Sequence, residues 1–223
     1  MALTALLSSF PLNANAQSPS VSDKTRANLM VVVRESIGAD KKDESFKPTG
    51  KAKAKLQDGR EVEIEMASWE FIGDIHIRIV FDGANSMSVA TPSDLADLNI
   101  LNVEDALSLA IANVKRVYGE PTSTPWTGGI FEVAGKSPDL DSSYFLDRDF
   151  WRKLAKKYPE GLAVVVPKRG GLLYAPVTDI KAVDALKRGV VQLYSTSGAQ
   201  RVSSAVFLFK DDKWSVLQSP AKL

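Results

Sequence analysis

Between Lys51 and Asp82 polar and apolar residues alternate with period two, the spacing of strands that bury one face of a sheet. KAKAKLQ and EVEIEMA flank Asp58-Gly59, a dipeptide suited to the positive φ angles of a type I′ turn, so the two segments read as a hairpin. Ala52, Ala54 and Leu56 fall on one face, as do Val62, Ile64 and Met66, which leaves Lys and Glu to pair across the other. Ile75, Ile77, Ile79 and Phe81 alternate with His76, Arg78, Val80 and Asp82 in a third strand, and Met87 to Ala90 suits a fourth. Ahead of these, Leu29, Val32, Val33 and Ile37 make an apolar stripe at helical spacing. It predicts a helix from about Asp23 to Ile37, stopped by Gly38. The charged run from Ala39 to Gly50 has no amphipathic period and predicts a solvated loop.

Beyond the strands, helical spacing takes over. Thr91 caps a short helix begun by Pro92, and Asn102 caps a longer one over Val103–Tyr118, ended by Gly119. Pro121, Pro125 and the paired glycines mark 119–129 as a boundary or crossing loop. A strand at Ile130–Ala134, an extended Ser143–Leu146 and a helix over Asp147–Tyr158 follow. Leu162–Pro167 and Leu172–Pro176 form strands joined near Gly170-Gly171, a helix capped by Thr178 or Asp179 runs to about Tyr194, and Ala205–Phe209 pairs with Trp214–Leu217 in a closing hairpin. Strands and helices do not alternate strictly. The fold class is α+β, with an antiparallel, hairpin-rich N-terminal part over 17–100 followed by a mixed α/β C-terminal domain over 101–223.

Residues 1–16, MALTALLSSFPLNANA, carry no charge and end in Ala14-Asn15-Ala16, which reads as a signal peptide cleaved before Gln17, although a basic start is missing. The expectation is an exported protein, periplasmic or secreted. The apolar run is too short to span a bilayer, and no later segment reaches about 20 apolar residues. The 223 residues include no cysteine, which excludes thiol catalysis, disulfides and thiolate-held metals. Lys plus Arg number 28 against 27 for Asp plus Glu, so no global field attracts nucleic acid.

Candidate chemistry concentrates between Asp141 and Pro176. His76 is the single histidine, and without a G-x-S-x-G elbow it has no nucleophile to serve, so it reads as a half-exposed strand residue. Asp139, Asp141, Asp147 and Asp149 are the set best suited to a hard cation or acid-base work, though Asp147 also fits a helix N-cap with Asp149 in the first turn. Ser143 and Tyr144 offer hydroxyls, while Lys168 and Arg169 could hold an anion beside Gly170-Gly171. Trp69, Trp151 and Trp214, with Phe145 and Phe150, read as core, and Trp126 in its Pro/Gly loop as exposed.

AL-x-LA-x-AN in the Val103 helix, DSSYFL with Trp151, VVVPKRGGLLY and VFLFKDDKW together resemble the YtpQ-like bacterial family, a domain of unknown function, over roughly residues 85 to 217. That family is expected to carry an acidic residue where this chain has Gly170. The resemblance implies an α+β fold and supplies no catalytic residue. The residues themselves point to a non-enzymatic binding or accessory protein with no cofactor, holding a peptide or a small anion near Asp141, Ser143, Tyr144, Lys168 and Arg169, with an envelope protein as a further partner for a purely structural role. The alternative is a carboxylate-based hydrolase using a divalent metal at Asp139 and Asp141.

Overall fold

The computed structural model describes residues 24–55 and 58–221, so the leader read at 1–16 and Leu56 of the first hairpin lie outside the described residues. The first half supplies β1 (Leu29–Glu35), β2 (Lys47–Pro48), β3 (Lys51–Lys55), β4 (Glu61–Glu65), β5 (Ser68–Ile72), β6 (Ile75–Asp82) and β7 (Met87–Val89). Then come α1 (Pro92–Asp97), α2 (Val103–Tyr118), β8 (Thr122–Thr127), β9 (Ile130–Ala134), a 3-10 stretch (Pro138–Leu146) and α3 (Arg148–Ala155). The chain finishes with β10 (Leu162–Lys168), β11 (Gly171–Pro176), α4 (Ile180–Thr196), β12 (Val206–Lys210) and β13 (Lys213–Gln218). Mixed helices and antiparallel sheets make this α+β.

The helix expected over residues 23–37 is instead strand β1. Val31-Val32-Val33 is a β-branched run buried on both faces, and a short continuous apolar run of this kind carries no period that separates strand from helix. β1 pairs along its whole length with β6, whose other edge is shared by β5 and β7. The loop expected over 39–50 contributes β2 at the edge of the same sheet. The β3–β4 hairpin forms as read, with Lys51 opposite Glu65, Lys53 opposite Glu63 and Lys55 opposite Glu61, and Gly59 in the turn has φ at 85°.

The second sheet runs β13-β12-β10-β11-β9-β8. Its two-residue turns with both φ positive are at Gly128-Gly129 and Asp211-Asp212, which is the geometry that hairpin twist favours. The segment expected as a boundary loop is therefore mostly edge strand β8, with Trp126 exposed on it. Alternation along β10 and β11 divides the core. Ala163, Val165, Leu173 and Ala175 pack beneath Ala182, Leu186 and Val190 of α4, while Val164, Val166, Leu172 and Tyr174 join the larger cluster on the opposite face. That cluster runs from Leu29 through Ala110 and Trp151 to Trp214, so residues on both sides of the Ile100–Leu101 step share it.

Segment 138–146, expected to be partly extended, is a 3-10 stretch enclosed by both sheets. It is buried from Leu140 through Phe145 and satisfies its polar groups inward. The Ser143 hydroxyl donates to Val31 O at 2.7 Å, the Tyr144 hydroxyl to Gly119 O at 2.7 Å, and the Trp151 indole N–H to Tyr144 O at 2.9 Å. Phe145 packs against Trp214 with ring centroids 4.2 Å apart and the rings tilted by 31°. Gly135 is where this packing is tightest, because a Cβ there would collide with the Tyr144 hydroxyl and approach Tyr118 O to 2.9 Å. Gly189, inside α4, has open space.

The two glycines should therefore respond oppositely in urea denaturation. Gly135→Ala is expected to destabilise by about 1–3 kcal/mol through overpacking, whereas Gly189→Ala is expected to stabilise by about 0.5–1 kcal/mol by removing backbone freedom from the unfolded chain.

Candidate functional site

Register gathers polar side chains into a row on the first sheet. Arg34 on β1 pairs with His76 on β6, His76 with Glu70 on β5, and Glu70 with Lys47 on β2. Arg78 lies two residues from His76 on the same face of β6, which makes it a diagonal neighbour of Arg34. Both arginines are half-buried.

A third arginine arrives from the second sheet. Lys168 pairs with Gly171, leaving Arg169-Gly170 as the turn between β10 and β11. That turn is fixed on two sides. Ser142 N–H donates to Arg169 O at 2.9 Å, and Arg169 N–H donates to Gln200 O at 3.0 Å. Gly170 permits the contact with the 3-10 stretch, since a Cβ would stand 2.8 Å from Pro138 O. Neither Gly170 nor Gly171 adopts positive φ; Gly170 serves close approach. Arg201, bridged to Lys168 through the backbone, completes the group.

Arg34, Arg78, Arg169 and Arg201 line one cleft of about 440 Å³ with His76, Glu35, Gly198 and Ala199. Four guanidinium groups face one carboxylate. Glu35 is already engaged, holding Arg201 Nε at 2.9 Å through Oε2 and accepting the Tyr194 hydroxyl through Oε1. Among the described residues, Arg34, Arg78 and Arg169 take part in no ion pair, as is also true of Arg26, Arg116 and Arg188 outside the cleft, whereas Arg201 does. Their acceptors are few and neutral. Arg34 Nη1 donates to Val33 O at 2.8 Å, Arg78 Nη2 lies 3.3 Å from His76 Nε2, and Arg169 Nη2 lies 3.5 Å from Ala199 O. The Nε–H groups of Arg78 and Arg169 are buried without a partner.

This crowding shows in the titration of the site. Burial, then Arg169 and Arg78, pull the Arg34 guanidinium down to about 10. Burial, then Arg78 and Arg34, push the His76 imidazole down to about 4, so it is neutral at pH 7. Next to the cleft, in the β5–β6 turn, buried Asp74 accepts the Ser203 hydroxyl, whose oxygen in turn accepts Ala205 N–H at 3.0 Å. Burial, assisted by Glu35 and Asp40, raises the Asp74 carboxyl to about 6.

Of the residues expected from sequence, Arg169 alone lines the cleft. Asp141 is buried and accepts Gly135 N–H at 2.8 Å, with its carboxyl raised by burial. Ser143 and Tyr144 are buried in the packing described above, and Lys168 stands beside the cleft with its side chain against Gly171. The acidic set does not converge: Asp139 is exposed, Asp147 caps α3 by accepting Phe150 N–H at 3.2 Å, and Asp149 pairs with Arg152. Among the described residues no three ligating side chains assemble for a metal. Asp147 and Asp149 line a different cleft, of about 560 Å³, where charges are matched. Lys115 pairs with Asp147 at 3.4 Å and Arg148 with Glu44.

Sequence reasoning missed Arg34, Arg78 and Arg201. Arg78 was visible on the polar side of its strand beside His76. Arg34 was hidden by the helical reading of β1, and Arg201 by its lack of any periodic context. Comparison of the chain with models of known families, with curated proteins and with solved structures finds no significant match, so the site's chemistry carries the functional argument.

Opposite pH slopes are expected from the two neighbours. His76, depressed to about 4, contributes stability that is full above about 6.5 and is lost as pH falls towards 4. Asp74, raised to about 6, contributes stability that is full below about 3.8 and is lost as pH rises through 6. Relative to the parent, Asp74→Asn should therefore gain stability as pH rises through this window and His76→Gln should lose it. Urea midpoints taken at intervals from pH 4 to 7 read both differences, and slopes of like sign would refute the assignment.

Proposed function

We propose that the protein is an exported, non-enzymatic binding protein that holds a small anionic ligand in the arginine cleft. One observation carries this reading: three arginines without ion pairs face a shared space, and two of them hold buried, partnerless Nε–H groups. A buried donor left unmade costs about 1–3 kcal/mol, and unpaired like charges add to that cost. Groups kept at such expense are what an anion would repay, because hydrogen bonds from guanidinium to an oxyanion are among the strongest a protein makes.

Binding is favoured over catalysis by what surrounds His76. Its Nε2 lies 3.3 Å from the Arg78 guanidinium, and an imidazole held near 4 is a weak base at neutral pH. A metal-dependent hydrolase would need converging carboxylates, and the acidic set is spread over separate structural duties. Export rests on the Ala14-Asn15-Ala16 leader.

Replacing Arg169 by Met, which keeps bulk without charge, should weaken pyrophosphate binding at least tenfold by calorimetry. It should also raise unfolding stability by about 1 kcal/mol, since it removes repulsion and an unpaired donor. Unchanged affinity with lowered stability would identify Arg169 as a packing residue only. N-terminal sequencing of protein recovered from outside the cytoplasm should begin at Gln17, and an intact Met1 there would overturn the signal-peptide reading.

A further inference from the structure

We infer that the ligand of this cleft is an organic phosphate, its phosphoryl group clamped between the two sheets. The inference rests on the anion-binding reading and adds the chemistry that fills the site. Arg34 and Arg78 present their guanidinium groups from adjacent strands of the first sheet, and Arg169 reaches the same space from a turn of the second. Coupling of Arg34 to both of the others places the three charges close together.

A carboxylate is planar and offers two oxygens in one plane, which satisfies one guanidinium fork well. Forks that arrive from different sheets do not share a plane. The three terminal oxygens of a phosphoryl group diverge tetrahedrally, so each can accept from the guanidinium of a different arginine. Two negative charges also answer three unpaired cations better than one. Neutral His76 lies within reach of Arg78 Nη2 through its Nε2, and so orients that guanidinium without adding to the positive charge.

The size of the cleft points to a phosphate ester. At about 440 Å³ it falls within the usual range for small-molecule sites and exceeds what a lone phosphate occupies. Gly198 and Ala199, both exposed, also line it and bring no bulky side chain into the space.

Calorimetry on the full chain at pH 8 and low salt, with malonate, inorganic phosphate and ribose 5-phosphate as probes, tests this. Malonate and phosphate carry equal charge there, so shape decides between them. Phosphate is expected to bind at least about tenfold more tightly than malonate, and ribose 5-phosphate more tightly than phosphate. Equal binding of malonate and phosphate would overturn the phosphoryl assignment and leave anion binding standing. A ribose 5-phosphate no tighter than phosphate would overturn the ester and point to free phosphate. Absence of binding by all three at millimolar concentration would overturn the anion reading itself. Arg78→Lys keeps the charge but loses Nε–H and the fork, and should cut the preference for phosphate over malonate to about threefold or less. With native circular dichroism and an undiminished preference in that variant, the fork would have no role.

Discussion

The fold depends on burial of the stretch from Leu140 to Trp151 between the two sheets. Trp151 alone removes on the order of 200 Å² from water, worth about 5 kcal/mol of transfer, and Tyr144 and Phe145 are as fully enclosed. The hydrogen bonds of the segment are worth about 1 kcal/mol each, so they do not supply the main driving force. Their effect is to fix orientation. Ser143 reaches Val31 on the first sheet, Ser142 N–H reaches Arg169 O on the second, and Tyr144 reaches the end of α2 through Gly119. A 3-10 stretch suits this position because its side chains and backbone can address three neighbours within a few residues.

That stretch also builds the cleft without entering it. By donating Ser142 N–H to Arg169 O, and by lying so close that residue 170 must be glycine, it holds the β10–β11 turn where Arg169 meets Arg34 and Arg78. The cleft is thus a by-product of docking one sheet against the other, and its charge follows from which residues occupy the facing row. Folding places like charges together there at a cost in stability. The cleft beside α2 and α3 differs in having ion pairs, Lys115 with Asp147 and Arg148 with Glu44, whereas three of the four arginines of the arginine cleft take part in none among the described residues.

Periodicity served well wherever one face of an element meets solvent. β6, α2, β9 and the closing hairpin follow the alternation or the caps read from their residues, and Asn102 and Thr91 cap as expected. It failed at β1, where burial on both faces erased the polar half of the pattern, and at β8, where Pro125 and exposed polar residues hid an edge strand. The polar residues of the DSSYFL block drew attention as a possible site. Their actual partners are backbone groups distant in sequence, which no local pattern announces.

The sequence by itself determined the α+β class, the alternating faces of most strands, the helix caps, and the absence of cysteine chemistry, because each depends on residues within a few positions of one another. Only the tertiary structure decided where the chemistry lies. Arg34, Arg78, Arg169 and Arg201 are separated by up to 167 positions in the chain and meet because two sheets pack around a buried 3-10 stretch. Long-range convergence of like charges leaves no local signature, since each arginine taken alone reads as an ordinary polar surface residue.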